Sequence, residues 1–220
     1  MADLIHGLRA AQVRDNLERV RERIAAAGRD PQDVQILAAV KYLPSDELEQ
    51  LGVAGITLVG ENRAQQLIAK ADAHPGVFTW DFIGTLQSRK VASLIPYVRY
   101  IHSVATDSAL HQLQRHQTPD IRILVEVNIA QEPGKAGIDP DQLPEFLERS
   151  PVEVVGLMTM PPLTGRPEDN RRHFAALREL ADRHQLGELS MGTSQDFEAA
   201  VREGATIIRL GRVLYQDCAA

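Results

Sequence analysis

Cysteine is almost missing from this chain: one of its 220 residues is cysteine, Cys218. No disulfide can form within the chain, and a cysteine-based metal site is not expected. The seven histidines are scattered, without HExxH or CxxC spacing, so no metal is expected from them either. A basic excess is also lacking. The net charge of −6 argues against a nucleic-acid partner, because neutralising phosphates needs clustered lysine and arginine. No apolar run reaches the ~18 residues of a membrane span. The opening stretch "MADLIHGLRAAQVRDNLERV" carries charge throughout, unlike a signal peptide. The expectation is a soluble protein of a reducing, cytoplasmic compartment. Linkers, repeats and low-complexity segments are absent too, which leaves one domain over residues 1–220.

What is present is a regular rhythm. Apolar residues recur at helical spacing over 4–26 (Leu4, Leu8, Val13, Leu17, Val20, Ile24), and Gly28 ends that pattern. Eight strand-like runs follow, at 34–40, 56–60, 78–84, 98–104, 121–129, 152–160, 187–192 and 205–211. Helical patterns lie between them, at 45–51, 62–73, 86–94, 106–117, 140–149, 167–185 and 194–203. Strands alternating with helices imply parallel βαβ units, and eight of each imply a closed (β/α)8 barrel of the TIM type. Its N-terminal helix would precede strand one. The alternative is an open doubly wound sheet, which predicts a glycine-rich fingerprint after strand one. "AAVKYLPSD" contains none. The stretch "PPLTGRPEDN" at 161–170 is predicted to be a surface loop.

In such a barrel the functional site lies at the carboxyl ends of the strands. Those ends supply Lys41, Glu61 and Asn62, Gly84, His102 and Ser103, Asn128, Thr159, Met191, Gly192, Ser194, Arg209 and Gly211. Lys41 closes the apolar run "VQILAAV". One explanation is a strand-end charge that snorkels to solvent. The other is an amine held inside the barrel mouth. An unperturbed lysine has a pKa of about 10.4, so about one molecule in a thousand is neutral near pH 7. Burial would lower that value and free the lone pair to attack an aldehyde. Aldolases and pyridoxal-phosphate proteins both use such a lysine, and a nearby phosphate site would favour the second.

Two stretches offer one. In "SMGTSQDFEAAVREG" at 190–204, Ser194 falls where strand seven turns into a helix. Its hydroxyl and the helix N–H groups could hold an anion, or Ser194 could simply cap the helix. In "RLGR" at 209–212, Gly211 lets the backbone approach a ligand closely. The loops after strands seven and eight are where barrels recurrently bind phosphate. Strand eight neighbours strand one on closure, so the two stretches and Lys41 outline one ligand with an aldehyde and a phosphate. Neither a G-x-S-x-G elbow nor a P-loop fits: Asp196 replaces the last glycine of "GTSQD", and "PGKAG" lacks the upstream glycine. Asn62 is also readable as a helix N-cap.

Taken together, "AAVKY", "GENRAQQL", "WDFIGTLQSRK", "IHSV", "EVNIAQEPGKAGI", "GLMTMPP" and "LSMGTSQDFEAAVREGATIIRLG" resemble the pyridoxal phosphate homeostasis proteins, in order, over about residues 30–215. The resemblance implies a single barrel of the alanine-racemase N-terminal-domain type, the fold type III class. It implies pyridoxal 5'-phosphate as cofactor and a role in vitamin B6 homeostasis and amino-acid metabolism, without established catalysis. Lys41 would form the Schiff base. Ser194, Gly211 and the Arg212 backbone would hold the phosphate. Arg209 would face the pyridine nitrogen, and Asn62 and Met191 would line the ring. Two positions depart from the family pattern. Asp81 stands where a histidine commonly follows the tryptophan, and Thr193 stands where a methionine is usual.

Pyridoxal-phosphate catalysis uses the ring as an electron sink. An arginine at the ring nitrogen is a permanently charged donor, so it would leave that nitrogen unprotonated and the sink weak. A racemase also needs a second acid/base on the opposite face. Enzymes of this barrel type resemble one another in bringing a tyrosine from a second domain and a dimer. The sequence runs nine residues past Gly211, so that second domain is not expected. The expectation is a monomeric carrier with no catalytic residue, passing the cofactor to apoenzymes. The alternative is a pyridoxal-phosphate-dependent amino-acid racemase or related enzyme.

Overall fold

A computed structural model of the protein describes residues 4–162 and 166–215. Cys218 and part of the 161–170 loop lie outside that range. The eight predicted strands are β1 (Gln35–Ala39), β2 (Leu58–Glu61), β3 (Thr79–Phe82), β4 (Val98–Val104), β5 (Arg122–Glu126), β6 (Glu153–Met158), β7 (Glu188–Thr193) and β8 (Ile207–Leu210). They pair in sequence order as a closed parallel barrel, and β8 returns to β1 with Leu37 opposite Arg209. The open-sheet alternative is thereby excluded.

The helices are α1 (Ala10–Ala26), α2 (Leu48–Val53), α3 (Ala64–Ala73), α4 (Val91–Leu94), α5 (Asp107–His116), α6 (Leu143–Glu148), α7 (Arg171–Arg183), α8 (Phe197–Arg202) and α9 (Arg212–Tyr215). Several strand-to-helix connections open with a 3-10 turn, so these helices are shorter than their periodic patterns. α1 precedes β1 and buries Val13, Leu17, Val20 and Ile24, the residues whose spacing predicted it. It starts later than that pattern. Gly7 sits at φ 75°, outside helical backbone, and the Ile5 N–H is donated to the Tyr42 carbonyl at 2.9 Å. Residues 4–9 therefore strap the β1–α2 loop, and the Glu47 carboxylate accepts from Gly7 and Leu8 N–H at 2.6 and 2.9 Å.

The core has two layers, as strand alternation requires in a barrel. The larger one, between strands and helices, includes Val40, Val59, Trp80, Phe82, Ile101, Val125 and Met191. The lumen is filled by Leu37, Tyr100, Leu124, Met158 and Ile207. Asp81, His102, Ser190 and Arg209 are buried with them, on the strands facing the lumen. Among the described residues, no helix is long and apolar enough to cross a membrane.

Candidate functional site

β1 brings Lys41 to the carboxyl-terminal rim. The strand ends at Ala39, and Lys41 lies two residues further on, in a turn. The expectation of a buried amine is not met: Lys41 is exposed, with its Nζ 4.9 Å from the centroid of the Tyr42 ring. The strand has already ended at Ala39, and Lys41 stands in the turn beyond it, so the side chain is free to lie over the rim.

The turn that carries Lys41 is braced from below. Lys70 of α3 is buried and donates to the Val40 carbonyl at 2.8 Å and to Glu61 Oε2 at 2.6 Å. Glu61 Oε1 in turn accepts the Asn62 N–H at 2.7 Å. Asn62 is half-buried beside this brace and does not cap α3, whose N-cap is Arg63. Sequence reasoning missed Lys70, because a lysine in a helical pattern looks solvated.

The residues expected to form an anion cradle meet where β7 and β8 end. Ser194 Oγ accepts the Gly211 N–H at 3.2 Å and the Val213 N–H at 3.4 Å. Ser194 is therefore no helix cap: α8 begins at Phe197, after Asp196. The converging N–H groups come from the β8–α9 turn instead of the helix after β7. Gly211 lies against β1, since a Cβ there would sit 3.5 Å from the Ala39 carbonyl oxygen. Two residues of chain separate Ala39 from Lys41, at most about 7 Å. Gly211 and the backbone of Lys41 thus share one side of the mouth. Arg212, the exposed first residue of α9, belongs to the same turn.

The tight 192–196 turn aims Ser194. Gly192 has φ 90°, and a Cβ there would lie 2.6 Å from that of Ala200, so only glycine fits. Asp196 Oδ1 accepts both the Thr193 N–H, at 2.8 Å, and the Thr193 hydroxyl, at 2.9 Å. Asn170 donates to Asp196 Oδ2 at 2.9 Å. Thr193, one of the two departures from the family pattern, thus pins the serine's turn with a hydroxyl that methionine lacks.

Arg209 points into the lumen below the mouth. Its NH1 donates to the Ser190 carbonyl and Oγ at 2.7 and 2.6 Å, and its NH2 to the Thr159 carbonyl at 3.0 Å and Met160 Sδ at 2.9 Å. Burial pulls its pKa down to about 10, against the opposing charges of Asp196 and Glu126, so it remains a cation at neutral pH. Burial pushes the Glu126 carboxyl up, opposed by Arg209 and Lys135. Met191 is fully buried in the layer between barrel and helices, not in the lumen. The structure does not bring its side chain to Lys41, Ser194 and Gly211. Alternation gives the reason: Ser190 faces the lumen, so its neighbour faces out. No cluster of three or more histidine, cysteine, aspartate or glutamate side chains that could hold a metal occurs among the described residues.

Asp81 and His102 lie deeper, and both weaken the fold in acid. Burial alone would raise the Asp81 carboxyl, but hydrogen bonds and charge from His102 and Arg99 hold it below the ordinary aspartate value. Burial pushes the His102 imidazole down, more than the Asp81 carboxylate lifts it, with Arg209 and Arg99 adding to the fall. A group whose pKa is lower folded than unfolded takes up its proton more readily in the unfolded chain. His102 thus stabilises the fold fully above its unfolded value of about 6.5 and loses that contribution as pH falls below it; Asp81 does the same from about 3.9 downward. Glu126 acts with the opposite sign, from about 4.3 upward. The urea midpoint should therefore fall from pH 7 toward pH 5.5, by up to about 1.4 kcal/mol per pH unit for one histidine. A flat profile in that window would show that His102 takes up its proton as readily in the fold as in the unfolded chain.

The model of the alanine racemase N-terminal domain family matches residues 8–218. The chain is 38% identical over 215 residues to the pyridoxal phosphate homeostasis protein of Aquifex aeolicus, covering 91% of this chain and 94% of that one. It is 35% identical over 207 residues to the protein of that name from Pseudomonas aeruginosa, covering 90% of each. Among solved structures, PipY of Synechococcus elongatus PCC7942 with pyridoxal phosphate bound superposes with a TM-score of 0.78 at 30% identity, over 92% of this chain and 99% of that one. By sequence and by barrel, the chain belongs to the pyridoxal phosphate homeostasis proteins, within the alanine racemase N-terminal domain family.

Proposed function

We propose that the protein holds pyridoxal 5'-phosphate reversibly at the barrel mouth and serves vitamin B6 homeostasis as a carrier, without catalysis of its own. The observation that carries this is the pair of N–H groups of Gly211 and Val213 converging on Ser194 Oγ, against the strand that leads to Lys41. Both donors now go to the serine oxygen, and a phosphate oxygen that took its place would find neutral donors at fixed positions. The primary amine two residues beyond Ala39 suits an aldehyde. When bound, pyridoxal phosphate supplies an aldehyde that an amine can hold and a ring that can accept electrons. The same group bound in PipY, a relative of 30% identity, supports the assignment.

Each residue then has a task. Lys41, open to solvent, meets an incoming aldehyde without any side chain moving aside. Ser194, Gly211 and the Arg212 backbone hold the phosphate, and Asn62 lines the mouth beside β1. Arg209 faces the ring nitrogen. To do so it can release Met160, whose thioether is the weakest acceptor of its four. It is a donor only and cannot supply a proton to that nitrogen. Of the two tyrosines near Lys41 in the fold, Tyr42 lies under the amine and Tyr215 is buried with its hydroxyl 3.5 Å from the Ala39 carbonyl.

A visible spectrum of the purified protein with pyridoxal phosphate, before and after borohydride, tests the proposal, with the modified peptide identified by mass. An adduct on Lys41 supports it, and a spectrum no different from that of free pyridoxal phosphate, with no trapped peptide, ends it. The no-catalysis half is tested by incubating the loaded protein with D- or L-alanine in heavy water. Exchange of the α-proton that depends on Lys41 would make the protein an enzyme. Ser194→Ala should weaken pyridoxal phosphate roughly 10-fold to 100-fold, the worth of a hydrogen bond to a charged group. Equilibrium dialysis checks this, and unchanged affinity would remove Ser194 from the site.

A further inference from the structure

The binding proposal leaves three buried polar side chains unused. Asp81, His102 and Ser190 sit on β3, β4 and β7, each fully buried in the lumen. They touch in a row. His102 Nε2 is 3.0 Å from Asp81 Oδ2, His102 Nδ1 is 2.8 Å from Ser190 Oγ, and Ser190 Oγ accepts from Arg209 NH1 at 2.6 Å. At the far end Arg99 grips Asp81 with two donors, Nε to Oδ1 at 3.0 Å and NH2 to Oδ2 at 2.6 Å. The Tyr100 N–H also donates to Oδ1, at 3.2 Å.

Donor and acceptor chemistry gives this row a direction. Three donors converge on Asp81, so it is a carboxylate and only accepts. His102 must therefore carry a proton on Nε2. Of the groups around the imidazole, Asp81 is the anion, Arg99 and Arg209 are cations, and the Tyr100 ring stands 6.2 Å away. Two nearby cations and full burial disfavour a second proton, which leaves Nδ1 bare and an acceptor. Ser190 then gives its hydrogen to Nδ1 and turns its lone pairs toward Arg209. With the other tautomer, Nε2 and Oδ2 would face each other as two acceptors, and the Ser190 hydrogen would lose its acceptor.

We propose that Asp81, His102 and Ser190 form a one-way hydrogen-bond chain through the lumen that positions Arg209 beneath the mouth. Both NH1 hydrogens of Arg209 go to Ser190, to its carbonyl and its hydroxyl, which fixes the plane of the guanidinium. The residues are positioning residues: none of them reaches the rim, and each acts on the ligand through Arg209. The functional arm rests on the binding proposal, while the tautomer arm needs no ligand.

The tautomer arm is a 15N-histidine NMR spectrum of the ligand-free protein at neutral pH, with His102 assigned against His102→Gln. The expected result is a protonated Nε2 and an unprotonated Nδ1. A proton on Nδ1, alone or in an imidazolium, overturns the chain whatever the protein binds. The functional arm compares pyridoxal phosphate with inorganic phosphate as probes of one site. Ser190→Ala leaves every backbone bond in place and should weaken pyridoxal phosphate about tenfold, the loss of one hydrogen bond on Arg209, while leaving inorganic phosphate unchanged. Ser194→Ala should weaken both. Equal weakening of both probes by Ser190→Ala, or none, overturns the positioning role. If the wild type binds neither probe, the binding proposal has failed, and the tautomer alone decides whether the chain exists.

Discussion

Lys41→Ala gives a protein that folds as the wild type does and shows no imine band beyond the spectrum of free pyridoxal phosphate. Two physical facts make the effect all-or-none for the ligand and small for the fold. The side chain is exposed at a turn, with its ammonium over the ring of Tyr42. Removing such a group shifts stability by about 0.5 kcal/mol or less. Covalent capture needs a primary amine that can lose a proton, and alanine has none. Lys41→Arg is the sharper control. It keeps the charge and the stacking on Tyr42, yet a guanidinium does not deprotonate in proteins, so it too should show no band. The other lysines supply the internal comparison. Lys70 is buried in an ion pair with Glu61, Lys135 is paired with Glu132, and Lys90 ends a 3-10 turn between β3 and β4. Borohydride trapping should therefore mark the peptide of Lys41 and leave the others unmarked. Trapping spread evenly over Lys41, Lys90 and Lys135 would mean that the mouth does nothing beyond what any exposed amine does.

How far the sequence reached follows from what it encodes locally. Apolar periods gave all eight strands and their order, because a parallel barrel needs each strand buried on both faces. The same periods placed Ser194, Arg209 and Gly211 near Lys41, since β8 must close on β1. What they could not give is contact between side chains far apart in the chain. His102 and Ser190 are 88 residues apart and Asp81 and His102 are 21 apart, and no spacing rule joins them. A signal did exist. "WDF", "IHS" and "LSM" each put polar character inside an apolar strand, at Asp81, at His102 with Ser103, and at Ser190. Buried polar groups must find partners, so three of them in one lumen should find each other. Which of the two readings of Lys41 holds, exposed or buried, is illegible in the sequence for a different reason. Strand polarity tells where a residue sits along the barrel, but where a side chain lies once the strand has ended depends on packing. Asp81 looked like a loose departure from a family pattern, and in the structure it is the most constrained carboxylate of the lumen.

Lys70→Met should be the most destabilising single change at this site, by about 3–5 kcal/mol, because it strands a buried charge. Lys70 and Glu61 have side chains only 5% and 1% exposed, and they meet at 2.6 Å. An exposed pair at that distance would be worth about 1 kcal/mol or less. Here the lost ammonium leaves the Glu61 carboxylate without its cation, with the Asn62 and Arg63 N–H groups as remaining donors. It also leaves the Val40 carbonyl without its lysine donor, one residue before Lys41. Fold and function are linked at this point. The brace that pays for burying Glu61 is the same one that holds the rim turn, so Lys70→Met should also slow capture of pyridoxal phosphate in whatever fraction stays folded. Urea denaturation at pH 7 reads the first effect, and the rate of appearance of the visible band per folded molecule reads the second. The double variant Lys70→Met with Glu61→Gln separates charge from shape. Removing the carboxylate's charge along with its partner should recover a large part of the lost stability, as a positive coupling in a double-mutant cycle. It should not recover the capture rate, since the Val40 carbonyl still lacks its donor. If Lys70→Met costs under 1 kcal/mol, the pair behaves as an exposed one and the rim turn must be held by the strap at residues 4–9 instead.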